Sequence, residues 1–307
     1  MNRFSKLLIV IALLVSLLAA CAPAALSPTA APIVLTDGLG REVTLAAPAR
    51  QVVSLAPSNT EILFAVGAGS QVVGRDEFTN YPEAAVALPS VGGSMGDYNF
   101  EQIVNLKPDL VLAAEINTPE QVKALEDLGV TVYYLSNPTN IEGMYANLIT
   151  VGKLTGKEPE ATALVDSLKQ RVAAVEDKIS RVTTRPKVFY ELDGSEAAKP
   201  WTAGAGTFID MLITMAGGEN VAASLAGSWG QFSQEALLVA NPDFILLGDS
   251  AYGTTAEQVA ARTGWETIQA VKAGQVLPFN DDTVSRPGPR LVDALEELVR
   301  ILHPELK

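Results

Sequence analysis

Asn99-Phe-Glu-Gln-Ile-Val-Asn-Leu-Lys-Pro-Asp-Leu-Val-Leu112 returns later in the chain as Ser233-Gln-Glu-Ala-Leu-Leu-Val-Ala-Asn-Pro-Asp-Phe-Ile-Leu246. Each copy opens on a capping residue, Asn99 or Ser233, whose side-chain oxygen can take a backbone N–H of a first helical turn. A short helix follows, then a Pro-Asp turn, then a run of Leu, Val, Ile or Phe with the character of a buried strand. A second pair precedes the first in the same order. Thr60-Glu-Ile-Leu-Phe-Ala-Val-Gly-Ala-Gly-Ser-Gln-Val-Val-Gly74 is echoed by Phe208-Ile-Asp-Met-Leu-Ile-Thr-Met-Ala-Gly-Gly-Glu-Asn-Val-Ala222. Both read as an apolar helix, a glycine stop and a short hydrophobic segment. Two pairs in register predict two similar lobes.

Between the halves, Glu158 to Ser180 has no glycine, and its one proline, Pro159, stands where a helix start tolerates it. Leu164, Leu168, Val172, Val175 and Ile179 recur at three or four residues, the spacing of one apolar stripe. Such a helix is about 35 Å long at roughly 1.5 Å per residue. It predicts a rod that braces both lobes. Strands are expected at 52–55, 110–113, 130–135, 188–192, 244–247 and 276–279, with helices at 119–128, 255–262 and 289–302. Alternation of this kind implies parallel sheets covered by helices. Ligands of such folds bind beyond the carboxyl ends of the strands, which here means the cleft between lobes. The expected organisation is an N-terminal α/β lobe over 33–157, a backbone helix over 158–181 and a C-terminal α/β lobe over 182–307.

The chain begins with Arg3 and Lys6, an apolar run from Leu7 to Leu18, and then Leu18-Ala-Ala-Cys21. This is the layout of an export signal over 1–20. Its apolar run of about a dozen residues is shorter than the roughly 20 needed for a permanent span. Cys21 is the only cysteine, so no internal disulfide forms. Residues 21–32, rich in Ala and Pro, read as a flexible tether. The net charge of −13 becomes −15 once Arg3 and Lys6 are removed. That balance disfavours nucleic acid, whose phosphates require clustered Lys and Arg.

Motifs for catalysis fail on context. In Gly67-Ala-Gly69 and Gly204-Ala-Gly206 the third glycine of a dinucleotide fingerprint would fall on Val72 and Ile209. Gly92-Gly-Ser-Met-Gly96 matches the serine hydrolase elbow, and His303 would complete the order Ser, acid, His. An elbow serine sits on a strand-to-helix turn, whereas Pro89 precedes Ser94 and the next helix waits until Asn99. His303 reads as the last turn of a surface helix, where a cation suits the dipole. One histidine and one cysteine cannot build a His/Cys metal site. Asp281-Asp282 reads as a solvated turn in preference to a hard-cation site. Phe78, Tyr98, Trp201 and Trp229 fall among Gly, Pro, Ser and Asn near strand ends. Together they suggest an aromatic cleft for a large, partly apolar ligand, to which Arg286 could add a donor.

Arg50-Gln-Val-Val-Ser-Leu-Ala-Pro-Ser-Asn-Thr-Glu-Ile-Leu-Phe-Ala-Val-Gly67, Tyr81-Pro82, Asn99 to Leu112, Pro200-Trp201-Thr202, Gly217-Gly-Glu-Asn220 and Ser285-Arg286 resemble the vitamin B12, iron-siderophore and haem binding proteins of ABC importers. The resemblance covers nearly all of 33–307 and is strongest to the B12-binding members. It implies a class III binding protein: two Rossmann-like α/β lobes with parallel sheets joined by one long rigid helix. Leu18-Ala-Ala-Cys21 resembles a lipobox, which implies a lipid on Cys21 and membrane attachment by that anchor alone.

The family's corrinoid site carries over residue by residue. Trp229 matches a cleft tryptophan, Phe78 stands for a tyrosine, and Trp201 for a phenylalanine. Met95 takes the place of a tryptophan, while Asp282 and Arg286 match a C-lobe cleft loop. Glu101 and Glu235 match glutamates, one per lobe, that contact permease arginines. The implied function is capture of a cobalamin-type corrinoid by a monomer, without catalysis or a cofactor of its own, and delivery to an ABC permease with its ATPase subunits. Haem or a ferric siderophore is the alternative ligand, with Tyr98 or Tyr190 then offered to haem iron. A serine hydrolase using Ser94 and His303 is the remote alternative.

Overall fold

The structure, a computed structural model, describes residues 31–93 and 96–306. The export signal, Cys21, most of the tether, Ser94 and Met95 lie outside the described residues. From Ile33 onward the chain forms one compact unit. An antiparallel pair, β1 (Ile33–Thr36) and β2 (Glu42–Leu45), comes first. The N-terminal lobe then runs β3 (Val52–Ser54), α1 (Pro57–Ala65), β4 (Val72–Arg75), α2 (Glu83–Val86), α3 (Phe100–Asn105) and β5 (Leu110–Ala114). It ends with α4 (Pro119–Asp127), β6 (Val132–Leu135) and α5 (Ile141–Thr155). After the long α6 (Glu158–Ile179), the C-terminal lobe runs β7 (Lys187–Glu191), β8 (Trp201–Ala203), α7 (Phe208–Met215), β9 (Glu219–Asn220) and β10 (Trp229–Gln231). There follow α8 (Gln234–Ala240), β11 (Phe244–Leu247), α9 (Ala256–Ala260), α10 (Gln269–Lys272), β12 (Val276–Pro278), α11 (Asp281–Val284) and α12 (Leu291–Leu302).

The repeats of the sequence become repeats of topology. The first sheet has the order β4-β3-β5-β6 and the second β9-β7-β11-β12, all parallel. Even the turns match. Lys107 and Asn241, each just before Pro-Asp, both have positive φ (50° and 46°). The following aspartates do the same work: Asp109 Oδ2 accepts the N–H groups of Arg50 and Gln51, and Asp243 Oδ2 accepts that of Lys187. Each carboxylate thereby ties a helix–strand turn to the start of the lobe's first strand. The central strand β5 is buried along its whole length and β11 from Ile245 to Leu247, as parallel strands covered on both faces must be.

One apolar core runs from α1 and α5 through α6 into α7 and α12, while each lobe keeps a second core on its outer sheet face. The buried stripe of α6 is Ala161, Val165, Leu168, Val172 and Val175, with Leu164 and Ile179 at its margins. Gly152 lets α6 start against α5, since a Cβ there would lie 2.6 Å from that of Ala161. At the other lobe Arg171 of α6 grips Glu296 with two hydrogen bonds (2.9 and 2.7 Å) and Asp293 with one (2.6 Å), fastening it to α12.

His303 departs from expectation. It is 2% exposed, where a surface position was predicted. The apolar face of α12 continues to its end, and the chain tucks His303 beneath Gly217, whose missing side chain makes the space. A Cβ on Gly217 would lie 2.9 Å from His303 Nε2, and the turn at φ 77° already favours glycine.

Candidate ligand cleft

A cavity of about 340 Å³ lies between the lobes, at the carboxyl ends of both sheets. Ala56, Pro57 and Ser58 line it after β3, Phe78 after β4, Ala114 and Ile116 around the end of β5, and Asn137 after β6. The other lobe supplies Tyr252 after β11 and the segment of Asp281, Asp282, Ser285, Arg286 and Pro287 after β12. Local chemistry explains why Phe78 projects. The Asp76 carboxylate accepts the Phe78 N–H (2.9 Å) and the Thr79 hydroxyl (2.5 Å), which folds the loop into a tight turn. Phe78 is left 53% exposed, a position an apolar ring takes up at a cost in water. Burial pushes the Asp76 carboxyl above its ordinary range, against the pull of those two donors.

Polar groups bind the lobes across this cleft. Glu61 of α1 receives Arg286 (3.0 Å) and a two-toothed contact from Arg290 (2.7 and 2.5 Å). Asn80 donates to Asp282 (2.9 Å) and accepts from Arg286 (2.7 Å), and Arg286 also pairs with Asp282 (2.6 Å). Arg290 stacks its guanidinium 4.4 Å from the centre of the Tyr81 ring. Asp281 accepts from Tyr190 (2.8 Å) and Ser285 (2.6 Å), and burial raises its pKa. The pair Asp281-Asp282 is therefore a braced corner of the cleft, where a solvated turn was expected.

The structure sorts the expected site residues into groups. Phe78, Asp282 and Arg286 meet in the one cavity. Trp201 and Trp229 sit together elsewhere, half-exposed on the paired strands β8 and β10, with the Trp229 ring 5.4 Å from that of Phe208 and tilted 56° to it. Strand β8 leaves the carboxyl end of β7 through the Leu192–Trp201 contact, so this patch belongs to the same end of its sheet. Tyr98 joins neither group. Its ring packs on the outer N-lobe core, and its hydroxyl donates to the Leu55 carbonyl (2.8 Å) and accepts from Asn117 (2.9 Å). Burial, more than any charge, pushes the Tyr98 phenol up to about 12. Tyr190 is buried on Asp281, and its phenol too is held well above its ordinary value by burial. Glu101 and Glu235 are exposed in the first turns of α3 and α8, behind the caps Asn99 and Ser233. Among the described residues no group of three or more His, Cys, Asp or Glu is placed to hold a metal, and no helix is long and apolar enough to cross a membrane.

Sequence reasoning passed over Tyr252, 90% exposed, together with Ile116 and Glu61. The first two were within reach, since each follows a strand that was identified and the strand ends are where ligands bind. Glu61 was not, because its partners lie more than two hundred residues away.

A family profile described as periplasmic binding protein matches residues 52–283. The chain is 32% identical over 277 residues to the uncharacterized ABC transporter substrate-binding lipoprotein YvrC of Bacillus subtilis, covering 89% of this chain and 86% of that one. It is 32% identical over 280 residues to a cobalamin-binding protein of Halobacterium salinarum, covering 89% and 74%. Among solved structures, the periplasmic heme-binding protein RhuT from Roseiflexus sp. RS-1 superposes with a TM-score of 0.75 at 27% identity, covering 84% of this chain and 99% of that one. The chain therefore belongs to the periplasmic binding protein family in its class III form, whose members are the non-enzymatic substrate-binding proteins of transporters.

Proposed function

We propose that the protein is the substrate-binding lipoprotein of an ABC importer and that it captures a cobalamin-type corrinoid between its lobes. The observation that carries this is a cleft walled by exposed apolar and aromatic side chains of both lobes, Phe78 and Ile116 on one side and Tyr252 on the other. Trp201 and Trp229 form a second exposed aromatic patch at the carboxyl end of the second sheet. A cavity of this size lies at the low end of ligand pockets, so a macrocycle lies across its mouth against the rings. The cobalamin-binding relative adds weight to the same choice. Met95, matched by resemblance to a tryptophan, belongs to the site in this proposal.

Titrating the exported protein with cobalamin and following absorbance tests the assignment. Phe78→Ala and Trp229→Ala are each expected to weaken binding by about 2 kcal/mol, the range of buried aromatic anchors. Unchanged affinity would remove the substituted ring from the site. Haem is the second reading, and Tyr252 is the observation that favours it, because an exposed phenol can ligate haem iron. If haemin binds in place of cobalamin and Tyr252→Phe abolishes its phenolate absorbance, haem is the ligand. The lipid anchor on Cys21 rests on Leu18-Ala-Ala-Cys21 and the lipoprotein relative. Fatty-acid label that persists in Cys21→Ser would refute it.

A further inference from the structure

The loop that carries Phe78 into the cleft has two anchors, one on each lobe. The first is the buried Asp76, whose carboxylate accepts the Phe78 N–H (2.9 Å) and the Thr79 hydroxyl (2.5 Å). Behind that turn stands a row of buried hydroxyls. Thr79 Oγ1 lies 3.3 Å from Thr60 Oγ1, Thr60 donates to Ser54 Oγ (2.8 Å), and Ser54 donates to the Ala56 carbonyl (2.9 Å). The row fixes the turn to the end of β3 and the first turn of α1, and a buried network with its members paired is rigid.

The second anchor is Asn80, two residues beyond the ring. Its side-chain nitrogen donates to Asp282 (2.9 Å) and its oxygen accepts from Arg286 (2.7 Å), both residues of the opposite lobe. Arg286 and Asp282 are paired with each other (2.6 Å), so Asn80 completes a three-membered polar ring in which two members are charged. Neither Asp76 nor Asn80 lines the cavity between the lobes, whereas Phe78, which stands between them in the chain, does. An apolar ring gains nothing from standing 53% exposed in water, and on a free loop it would fold down against its own lobe.

We propose that Asp76 and Asn80 are positioning residues for ligand capture that act through Phe78: Asp76 sets the ring out from its own lobe, Asn80 ties the far end of the loop to the other lobe, and full affinity needs both ties. The ring is in place before the ligand arrives, so ordering of the loop does not weaken binding. The inference rests on the reading of the interlobe cavity as the ligand site. Charge on Asp76 is not what the turn requires. Burial raises its pKa, so the position favours a neutral group. Asparagine supplies one: its oxygen accepts the Phe78 N–H, its nitrogen donates to Thr79 Oγ1, and the Thr79 hydroxyl turns its proton to Thr60.

Cyanocobalamin and haemin are titrated into the wild type, into Asp76→Ala, Asp76→Asn, Asn80→Ala and Phe78→Ala, and into the two pairs that join Asp76→Ala or Asn80→Ala to Phe78→Ala. For the probe that binds, Asp76→Ala is expected to raise Kd about tenfold and Asn80→Ala about threefold, with Asp76→Asn restored to within about threefold of wild type. On the Phe78→Ala background neither anchor change should add more than about twofold, because the ring that it positions is gone. Losses of equal size with and without Phe78 would overturn the proposal, since Asn80 would then act through Arg286 and Asp76 through the stability of its lobe. Wild-type affinity in Asp76→Ala or Asn80→Ala, or an Asp76→Asn as weak as Asp76→Ala, would overturn it too. Hydrogen exchange of the Phe78 amide, followed by NMR without ligand, tests the turn by itself. The amide should exchange at least about tenfold more slowly than an unbonded one in the wild type and Asp76→Asn, and lose that protection in Asp76→Ala. Fast exchange in the wild type would overturn the proposal even where Asp76→Ala does not fold. If the wild type binds neither probe, the reading of the cleft falls and takes this inference with it; if it binds one and the anchor variants match it, only this inference falls.

Discussion

Glu61 has 1% of its side chain exposed and faces two guanidinium groups from the opposite lobe, with Arg286 and Arg290 themselves largely covered. Removing water from three charges is expensive, and their attraction recovers the cost only because every Glu61 oxygen is engaged. The cluster therefore adds little over an apolar contact, but breaking it from one side is costly, since Arg290 then remains covered without an anion and Arg286 keeps Asp282 alone. Glu61→Ala is expected to lower unfolding free energy by about 3 kcal/mol, measured by urea denaturation at neutral pH. Replacing Arg290 in addition should recover part of that loss, because the stranded charge goes with it. If Glu61→Ala costs less than about 1 kcal/mol, the arginines rehydrate through the cleft and the cluster does not hold the lobes together. Arg286 serves two roles in this account. It belongs to the interlobe cluster and also lines the interlobe cavity, so a ligand that took one of its N–H groups there would compete with Glu61 or Asn80.

At the scale of elements, the strands and helices that repeat between lobes were legible because each carries its signal locally: a cap, a 3.6- or 2-residue period, a positive-φ stop. Phe244–Leu247 begins and ends where expected, and α6 ends at Ile179, two residues short of its expected limit. What the sequence hid is held by distant partners. The β8–β10 pair joins residues nearly thirty apart through strands of three residues each, too short for a period to show. The β1–β2 pair is fixed by Asp37, which reaches out of its own turn. Its carboxylate accepts N–H groups of Leu39 and Arg41 (both 3.0 Å), the Arg41 Nε (3.0 Å) and the Tyr134 N–H of β6 (3.2 Å). Burial raises its pKa, but the Arg41 side chain and the backbone donors outweigh burial, and the net value lies below the ordinary 3.8. The unfolded chain therefore binds the proton first as pH falls. The stabilisation is complete above pH 3.8 and is lost as pH drops through the lower, folded value. Asp37→Asn is expected to cost about 1–3 kcal/mol at pH 7, because buried donors are left unpaired. The gap from wild type should narrow below pH 3.8, as followed by urea unfolding at a series of pH values. A gap that stays constant through that range would assign the effect to hydrogen-bond geometry without charge.

At the scale of the whole molecule, the internal repeat places the same acidic side chain on each lobe. Glu101 and Glu235 are exposed, each two residues after a capping side chain that accepts an N–H of its helix, from Gln102 to Asn99 and from Ala236 to Ser233. A local benefit exists for both, since an acid in a first turn gains about 0.3–1 kcal/mol from the helix dipole. That benefit is the same for any single helix and gives no reason for a matched pair. An importer's binding protein must present one face to a permease, and two carboxylates on lobes of equal topology, held in fixed relation by α6, would set that orientation. The net charge of −13 also favours encounter with a basic rim. Glu101→Ala combined with Glu235→Ala is expected to keep the melting temperature within a few degrees, in line with the small dipole contribution, and to leave cobalamin affinity unchanged. Binding to the cognate permease in vesicles should fall severely, each single variant losing part of it, and the wild-type interaction should weaken as salt rises, because exposed charges are screened. A double variant that binds the permease and supports uptake at the wild-type level would reduce both glutamates to helix-stabilising residues. Loss of permease binding by one single variant alone, with the other silent, would place the docking face on one lobe and break the proposed use of the repeat.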